Sequence, residues 1–169
     1  MRQIMRGFTM FVGGYDYGYE VEELGVALPE ETYTDHQYGG AVMSAQVPKL
    51  MMGNMEPTLK MGAYNPELLE YLNRQLGVRD TFTFRSAHVD EEDGKTHSHL
   101  IIYEGRLASA KPTAWSKEGK SEIDYTIKGV WHFQYFVNDK LLHQVGLKPA
   151  TLIVNGRNML ADINRALGR

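Results

Sequence analysis

Cysteine is absent from this chain of 169 residues, which excludes disulfide bridges and thiolate metal sites and suits a protein made in a reducing compartment. Long apolar runs are missing too, and none approaches the ~18 residues that a membrane-spanning helix needs. The N-terminal segment carries positive charge, but no apolar stretch follows it. We therefore expect neither a transmembrane helix nor a secretory signal.

An excess of positive charge is also missing. Eighteen basic residues face 21 acidic ones, giving a net charge of −3, and the basic residues are scattered. A sequence-independent DNA-binding protein needs a concentrated cationic surface, so tight nucleic-acid binding is not expected. With 43% hydrophobic and 23% charged residues, the composition is typical of a soluble globular protein. The length fits one domain, or one domain with protruding arms.

Catalytic signatures are equally scarce. The sequence holds no Gly-x-Ser-x-Gly elbow, no phosphate-binding glycine-rich loop and no His-Glu-x-x-His pair. His97 and His99 have metal-ligand spacing, because residues two apart on a strand share one face. The acidic run 90–93 could supply further zinc ligands, but carboxylates beside a glycine turn are more typical of a solvated hairpin tip. We expect no metal, no cofactor and no enzymatic activity.

Two segments carry the helical period. In residues 65–77, Asn65 suits the N-cap, Pro66 the first helical position and Gly77 the left-handed position at the C-terminus. This predicted covering helix carries an apolar stripe of Leu68, Leu69, Leu72 and Leu76. A second helix, predicted at about 158–167 and ending at Gly168, carries a stripe of Met159, Leu160, Ile163 and Leu167.

Most of the remaining chain alternates with period two, which predicts strands. We expect them near residues 8–13, 17–26, 44–50, 56–63, 80–89, 97–108, 121–136 and 140–154. Turn chemistry at Gly13-Gly14, Asp93-Gly94 and Asn138-Asp139 predicts hairpins. The predicted fold class is therefore mainly β: an antiparallel β-sandwich or barrel with one covering helix and a short C-terminal helix.

The segment from Pro29 to Pro57 is too apolar for a solvated loop, yet it has no clean period. Four of the nine methionines lie between Met43 and Met55. Two interpretations stay open: a loop folded over its own core, or a surface that another molecule covers. On the second interpretation, the contact residues are Tyr33, Tyr38, Met43, Val47, Leu50, Met51, Met52 and Met55.

The order of several short motifs resembles the major tail tube proteins of contractile-tailed bacteriophages, and is similar to R-type bacteriocin tube proteins. The resemblance runs from about Phe8 to Gly168. It rests on the opening strand 10–14, the strand 19–24, the Leu28-Pro29 step, the segment 37–47 with its glycine pair, the Met52-Gly53 step, the helix at 66–76 and the closing segment 154–168.

The resemblance implies a structural protein with residues 1–169 as a single tail-tube domain and residues 29–57 as an extended inter-ring loop. Copies would form hexameric rings, stacked into the inner tube of a contractile tail, through which DNA is ejected. The implied partners are further copies of the chain, the tail sheath protein, the tape measure protein, the baseplate and tail terminator proteins, and genomic DNA that passes without specific binding. The implied location is the virion tail, assembled in the host cytoplasm.

A tube that lets DNA slide should have an inner wall that is not basic, because DNA carries one charge per ~1.7 Å of its axis. Candidate lumen carboxylates are the same-face pairs Glu20 with Glu22 and Glu122 with Asp124. Three alternatives remain: the tube of a headless contractile bacteriocin or injection system, a monomeric β-barrel that binds a small ligand, and a metal-dependent hydrolase.

Overall fold

The computed structural model describes residues 2–169, which form an antiparallel β structure with two short helices. The strands are β1 (Gln3–Val12), β2 (Tyr15–Asp16), β3 (Val21–Gly25), β4 (Glu31–His36), β5 (Ala45–Met52), β6 (Thr58–Met61), β7 (Asp80–Asp90), β8 (Thr96–Pro112), β9 (Ile123–Val137), β10 (Lys140–Gly146), β11 (Thr151–Val154) and β12 (Arg157–Asn158). The helices are α1 (Pro66–Leu69) and α2 (Ala161–Ala166). Every pair of these strands is antiparallel, so the predicted mainly-β fold class is confirmed. Met1, where the predicted domain begins, lies outside the described residues.

Within residues 2–169, neither helix has the length and apolar character needed to cross a membrane.

The main sheet has the strand order β12-β11-β10-β9-β8-β7-β1-β2. Strand β9 pairs with β8 along one edge and divides its other edge between two strands. Residues 123–126 pair with β6, whereas residues 132–137 pair with β10. Gly129 lies between the two halves at φ +62°, a left-handed conformation that glycine adopts without steric cost. Because β6 in turn pairs with β3, the sheet continues in two directions from β9.

One apolar core is enclosed by β1, β3, β6, β7, β8 and β9, with α1 against it. Its largest fully buried side chains are aromatic, as expected for strands that bury one face. They are Tyr17, Phe82, Tyr103, Tyr125 and Phe133.

The predicted hairpin turns are confirmed at all three places. Gly13 and Gly14 connect β1 to β2, and Asn138 and Asp139 connect β9 to β10, all four with positive φ. A two-residue connection with this backbone matches the right-handed twist of the strands it joins. The Asp93-Gly94 pair lies in the turn between β7 and β8.

The covering helix begins as predicted but is much shorter. Asn65 caps it, because its side-chain oxygen accepts hydrogen bonds from the amides of Glu67 and Leu68 at 3.0 and 3.2 Å. Leu68 is fully buried, whereas Leu76, predicted on the same stripe, is 91% exposed. The helix prediction is therefore wrong beyond Leu69, where α1 ends.

Tertiary contacts explain this early end. Asn73 adopts φ +52°, and its amide donates to the carbonyl of Leu107 in β8 at 3.4 Å. The guanidinium of Arg106 donates to the carbonyls of Gln75 and Val78 at 2.9 and 3.0 Å. These bonds hold residues 73–78 as a loop on β8, so the helical period there has no structural counterpart.

Helix α2 forms where the sequence predicts a helix, and Gly168 follows it at φ +74°. The Asn164 side chain ties it to the body by donating to the carbonyl of Ala150 at 3.0 Å. The helix is shorter than predicted, with Met159 in the turn before it and Leu167 at its C-cap. The predicted apolar side chains Met159, Ile163 and Leu167 are 44%, 43% and 62% exposed.

Histidines from two neighbouring strands lie together on the β7–β8 surface. The Nδ1 atom of His99 lies 2.7 Å from the hydroxyl of Tyr135, and its Nε2 atom lies 3.2 Å from the side-chain oxygen of Gln3. The rings of His88 and His99 have centroids 4.2 Å apart. Burial, followed by the charges of His88 and His97, lowers the pKa of His99 below its ordinary value of 6.5.

Tyr103 should be important for fixing the chain after β3. Its hydroxyl donates to the carbonyl of Ala27 at 2.6 Å and accepts from the Ala27 amide at 3.1 Å. Tyr103→Phe leaves both backbone groups without this partner, so we expect the free energy of unfolding to fall by about 1–3 kcal/mol in denaturant titrations. The control is Tyr19→Phe, since Tyr19 is fully exposed and its change should be within about 0.5 kcal/mol.

Acid should destabilise the fold through His99. A histidine with a lowered pKa in the folded state binds fewer protons than in the unfolded state, so its contribution is present above pH 6.5 and is lost as the pH falls through the folded-state pKa. We expect the melting temperature to fall between pH 7.5 and pH 5, and to fall less in His99→Gln. An equal fall in both proteins would contradict this assignment. His36→Gln, in the exposed hairpin β4–β5, is the control.

Candidate assembly surfaces

The segment without a clean period folds as a separate hairpin, here called the arm (Glu31–Met52). Its strands β4 and β5 pair with each other and, among the described residues, with no other strand. The prediction of a strand at 44–50 is confirmed by β5, whereas β4 was missed. The alternation of threonines with Tyr33 in residues 31–36 is the signal that would have indicated it.

Apolar side chains cover much of the arm and are exposed to solvent. The predicted contact residues that the structure exposes are Tyr33, Tyr38, Met43, Val47, Leu50 and Met51. Val42 at the tip is fully exposed and was missed, although its place between Gly40 and Met43 in an apolar run could have indicated it. Such a concentration of exposed apolar groups is typical of a surface that another molecule covers.

Two of the predicted contact residues differ from the rest. Met55 is only 8% exposed and packs into the core, so its assignment to the arm surface is wrong. It lies just before β6, where the chain re-enters the body. Met52 is half-buried at the base of the arm.

Leu50 has a strained backbone. Its φ is +56°, a region that costs a non-glycine residue roughly 1–3 kcal/mol. The strand register shifts between Glu31 and Tyr33 on the opposite strand, and the Thr32 hydroxyl donates to the carbonyl of Met51 at 2.9 Å. The resulting bulge leaves two consecutive apolar side chains, Leu50 and Met51, both exposed.

Two apolar concavities lie on the body. The basal groove, of about 660 Å³, lies between the base of the arm and strands β9–β11, and its lining includes Met51, Met52, Trp131, Leu147 and Leu160. The lateral pocket, of about 530 Å³, has apolar walls of Phe8, Leu24, Val26, Leu28, Phe84 and Ile101. Glu22, Glu23 and Arg85 also line the lateral pocket.

The carboxylates Glu122 and Asp124 lie on one face, as predicted, because Ile123 between them and Tyr125 after Asp124 are buried in the core. Glu122 forms a salt bridge of 3.0 Å with Lys60, and this bond raises the pKa of Lys60 above its ordinary value. Asp124 is paired in register with Lys60 on β6 and with Lys111 on β8. The face is therefore a row of alternating charges.

Glu20 and Glu22 do not form the strand-face pair that the sequence predicts. Glu20 lies in the turn before β3, and its carboxylate accepts a hydrogen bond from the side-chain nitrogen of Asn65 at 2.6 Å. Glu22 lies at the register shift between Val21 and Glu23, with Lys120 at 3.6 Å. The turn and the bulge break the alternation on which the pairing was predicted.

Three of the possible metal ligands, Asp90, Asp93 and His97, have polar contacts within the chain. Asp90 accepts from the amide of Glu92, and Asp93 accepts from the amide of Lys95, so both carboxylates shape the β7–β8 turn. The Nδ1 atom of His97 lies 2.8 Å from the side-chain nitrogen of Asn138. Residues 2–169 contain no group of three or more histidine, cysteine or acidic residues with the geometry to hold a metal ion.

Three solved structures share this architecture at low sequence identity. The sheath/tube terminator of an extracellular contractile injection system, PVC, matches with a TM-score of 0.56 and 10% identity over 78% of this chain and 93% of its own. The sheath-tube complex of the same system matches with a TM-score of 0.51 and 13% identity over 77% of this chain and 89% of its own. The anti-feeding prophage baseplate matches with a TM-score of 0.51 and 10% identity over 80% of this chain and 96% of its own.

A search of curated proteins finds no match. A family model does match: the family described as phage tail tube protein FII covers residues 2–168. The match spans the body, the arm and the C-terminal helix together. The chain therefore belongs to the phage tail tube protein FII family, and it is a structural tail protein and not an enzyme.

Proposed function

We propose that copies of this chain form hexameric rings that stack into the hollow inner tube of a contractile tail, with residues 29–57 reaching the adjacent ring. The observation that carries this proposal is the exposed apolar surface of the arm, which the body of its own chain leaves uncovered. Residues 1–169 act as one tail-tube domain in this proposal.

Burial energetics support an assembly of this kind. A fully buried Leu or Met side chain contributes roughly 1.5–3 kcal/mol, and the arm offers Met43, Leu50 and Met51 together with exposed tyrosines. Because each subunit repeats these contacts around a ring, the sum makes stacking strongly favourable. Head-to-tail contacts of this type close laterally into rings and continue axially without limit.

The proposed partners follow from the tube architecture. The similar PVC structures contain a sheath-tube complex and a terminator, and the third contains a baseplate. We infer that this chain likewise contacts a tail sheath protein, a tail terminator and a baseplate, and encloses a tape measure protein. Its location is then the virion tail, with assembly in the host cytoplasm.

The tube of a headless bacteriocin or injection system would use the same subunit geometry. Capsid and terminase genes beside the coding sequence would support a phage, and their absence would support a headless particle. The lateral pocket favours a second function, a monomeric barrel that binds a small ligand. A single monomer peak at high concentration in size-exclusion chromatography would support that second function.

We infer that the face carrying Glu122 and Asp124 lines the lumen. Its carboxylates alternate with Lys60 and Lys111, so the wall would have little net positive charge to hold a DNA phosphate. Coulomb forces are screened over about 8 Å at physiological salt, so only residues of the wall itself act on the DNA.

Removing the arm should abolish stacking without unfolding the body. The paired residues Tyr33 and Pro48 allow an Asn-Gly turn to replace residues 34–47, leaving Met55 in the core. We expect a cooperative thermal unfolding transition like that of the full chain and no rods in negative-stain microscopy. Rods of normal length from the shortened protein would contradict the role of the arm.

A milder variant gives a matched control. Met43→Ser, at a position 81% exposed, should lower the yield of rods at least several-fold, whereas Leu76→Ser, at a position 91% exposed outside the arm, should leave the yield unchanged. Both substitutions remove one exposed apolar side chain, so general solubility effects are equal.

Neutralising the lumen row should make the tube retain DNA. In Asp124→Asn, Lys60 and Lys111 lose their common neighbour in register, and the proposed wall gains positive charge. We expect assembled tubes to retain labelled duplex DNA at about 50 mM salt and to release it at higher salt. Asp139→Asn, in the exposed β9–β10 turn, is the control, and equal retention by both variants would contradict the inferred lumen face.

A further inference from the structure

Helix α2 presents an apolar ridge that its own chain does not cover. Ile163 lies within α2, and the amide of Leu167 at the C-cap donates to its carbonyl at 3.0 Å, so these two side chains share one side of the helix. Met159 lies in the turn just before the helix, and all three side chains are exposed. The residues that face the body are others: Leu160 lines the basal groove and Asn164 is bonded to Ala150. A helix of six residues has little stability of its own, so packing on its exposed side would stabilise it.

The lateral pocket has the complementary form. It is an open cavity of about 530 Å³ whose lining is mainly apolar but includes His88 and His99, with Val26 and Leu28 exposed at 48% and 51%. It lies beside β3, which pairs with β6 along one edge and, among residues 2–169, with no strand along the other. An apolar pocket beside an open sheet edge is a suitable acceptor for a second chain.

The two surfaces lie at opposite ends of the strand order. Helix α2 follows β12, which is terminal on one side, whereas the pocket is lined by β1 and β7 near the other side. Each copy can therefore give its ridge to one neighbour while its pocket receives the ridge of another. This is the arrangement that a head-to-tail ring requires.

The charges around the two surfaces are also opposite. The C-terminal segment carries Arg157, Arg165 and Arg169, of which Arg165 lies 3.4 Å from the side-chain carboxylate of Asp162. The lining of the pocket carries Glu22, which has Lys120 at 3.6 Å, and the exposed Glu23, together with the guanidinium of Arg85. Complementary charges at the rim of a contact steer association and fix its register.

We propose that the apolar ridge of α2 (Met159, Ile163 and Leu167) docks in the lateral pocket of the next copy around the ring. The inference rests on the proposed self-assembly and specifies its lateral contact, which is distinct from the axial contact assigned to the arm. The ligand of the pocket is thus a second copy of this chain and not a small molecule.

The absence of cysteine gives a direct test by disulfide crosslinking. Val26→Cys in one full-length protein and Ile163→Cys in another place single thiols on the pocket and the ridge. After mixing and mild oxidation, we expect the mixed crosslinked dimer at least ten times more abundantly than from the control mixture of Leu76→Cys with Ile163→Cys. Leu76 is exposed but lies outside both surfaces.

The outcomes separate this inference from the proposed function. Rods in negative stain from the unoxidised mixture, with crosslinking no higher than in the control, would overturn the docking and leave the tube intact. No rods and no crosslink would overturn both. A copurified apolar molecule in the pocket, found by native mass spectrometry in assembled protein, would also overturn the docking.

Charge reversal provides a second readout that does not depend on thiols. Glu23→Arg and Arg165→Glu should each slow ring formation at least several-fold, as followed by light scattering at low salt. Mixing the two variants should restore the rate, because the arginine introduced at the pocket of one variant then meets the glutamate introduced beside the ridge of the other. Without restoration in the mixture, the proposed pairing of these surfaces is wrong.

Discussion

Strand β9 determines the architecture because its second edge is shared between β6 and β10. The bend at Gly129 allows β6 and β3 to close over the core while β10–β12 continue the sheet outwards. Gly25 of β3 is paired in register with Thr58 of β6, so residues 26–57 must leave and return at the same place. That constraint produces the arm. The same division also sends α2 to the far side of the sheet from the lateral pocket.

The backbone groups of the arm are paired within its hairpin, but its apolar side chains are exposed to solvent. Strands β4 and β5 bond to each other, and a two-stranded hairpin alone is only marginally stable in water. Its apolar side chains are exposed, which is why we propose that another copy of the chain covers them. The positive φ of Leu50 fits this interpretation, because strain at an exposed leucine persists best where the side chain has a function.

Local chemistry made part of the structure predictable from sequence. Turns such as Asn138-Asp139 and the Asn65 cap depend on neighbouring residues alone, and they were predicted correctly. The predicted helix was wrong beyond Leu69 because the conformation of that segment depends on a hydrogen bond from Arg106, some thirty residues away along the chain. Met43 and Met55 look alike in sequence, yet one is exposed and the other lies in the core, since only the return of the chain into β6 distinguishes them. The lateral pocket had no sequence signal, because β3 meets β1 and β7 only after folding.

A chain with so much exposed apolar surface must still avoid indiscriminate aggregation. Strand β5 contains Pro48, which removes a backbone donor from the arm, and Lys49 follows it. Within residues 2–169, the main sheet ends at β3, which has five residues, and at β2 and β12, which have two each and so offer little backbone to an incoming strand. Backbone pairing is thus restricted at these edges, whereas side-chain contacts through the arm and through α2 remain available. Because side-chain packing requires matching shape and charge, it selects identical copies in one register over random partners.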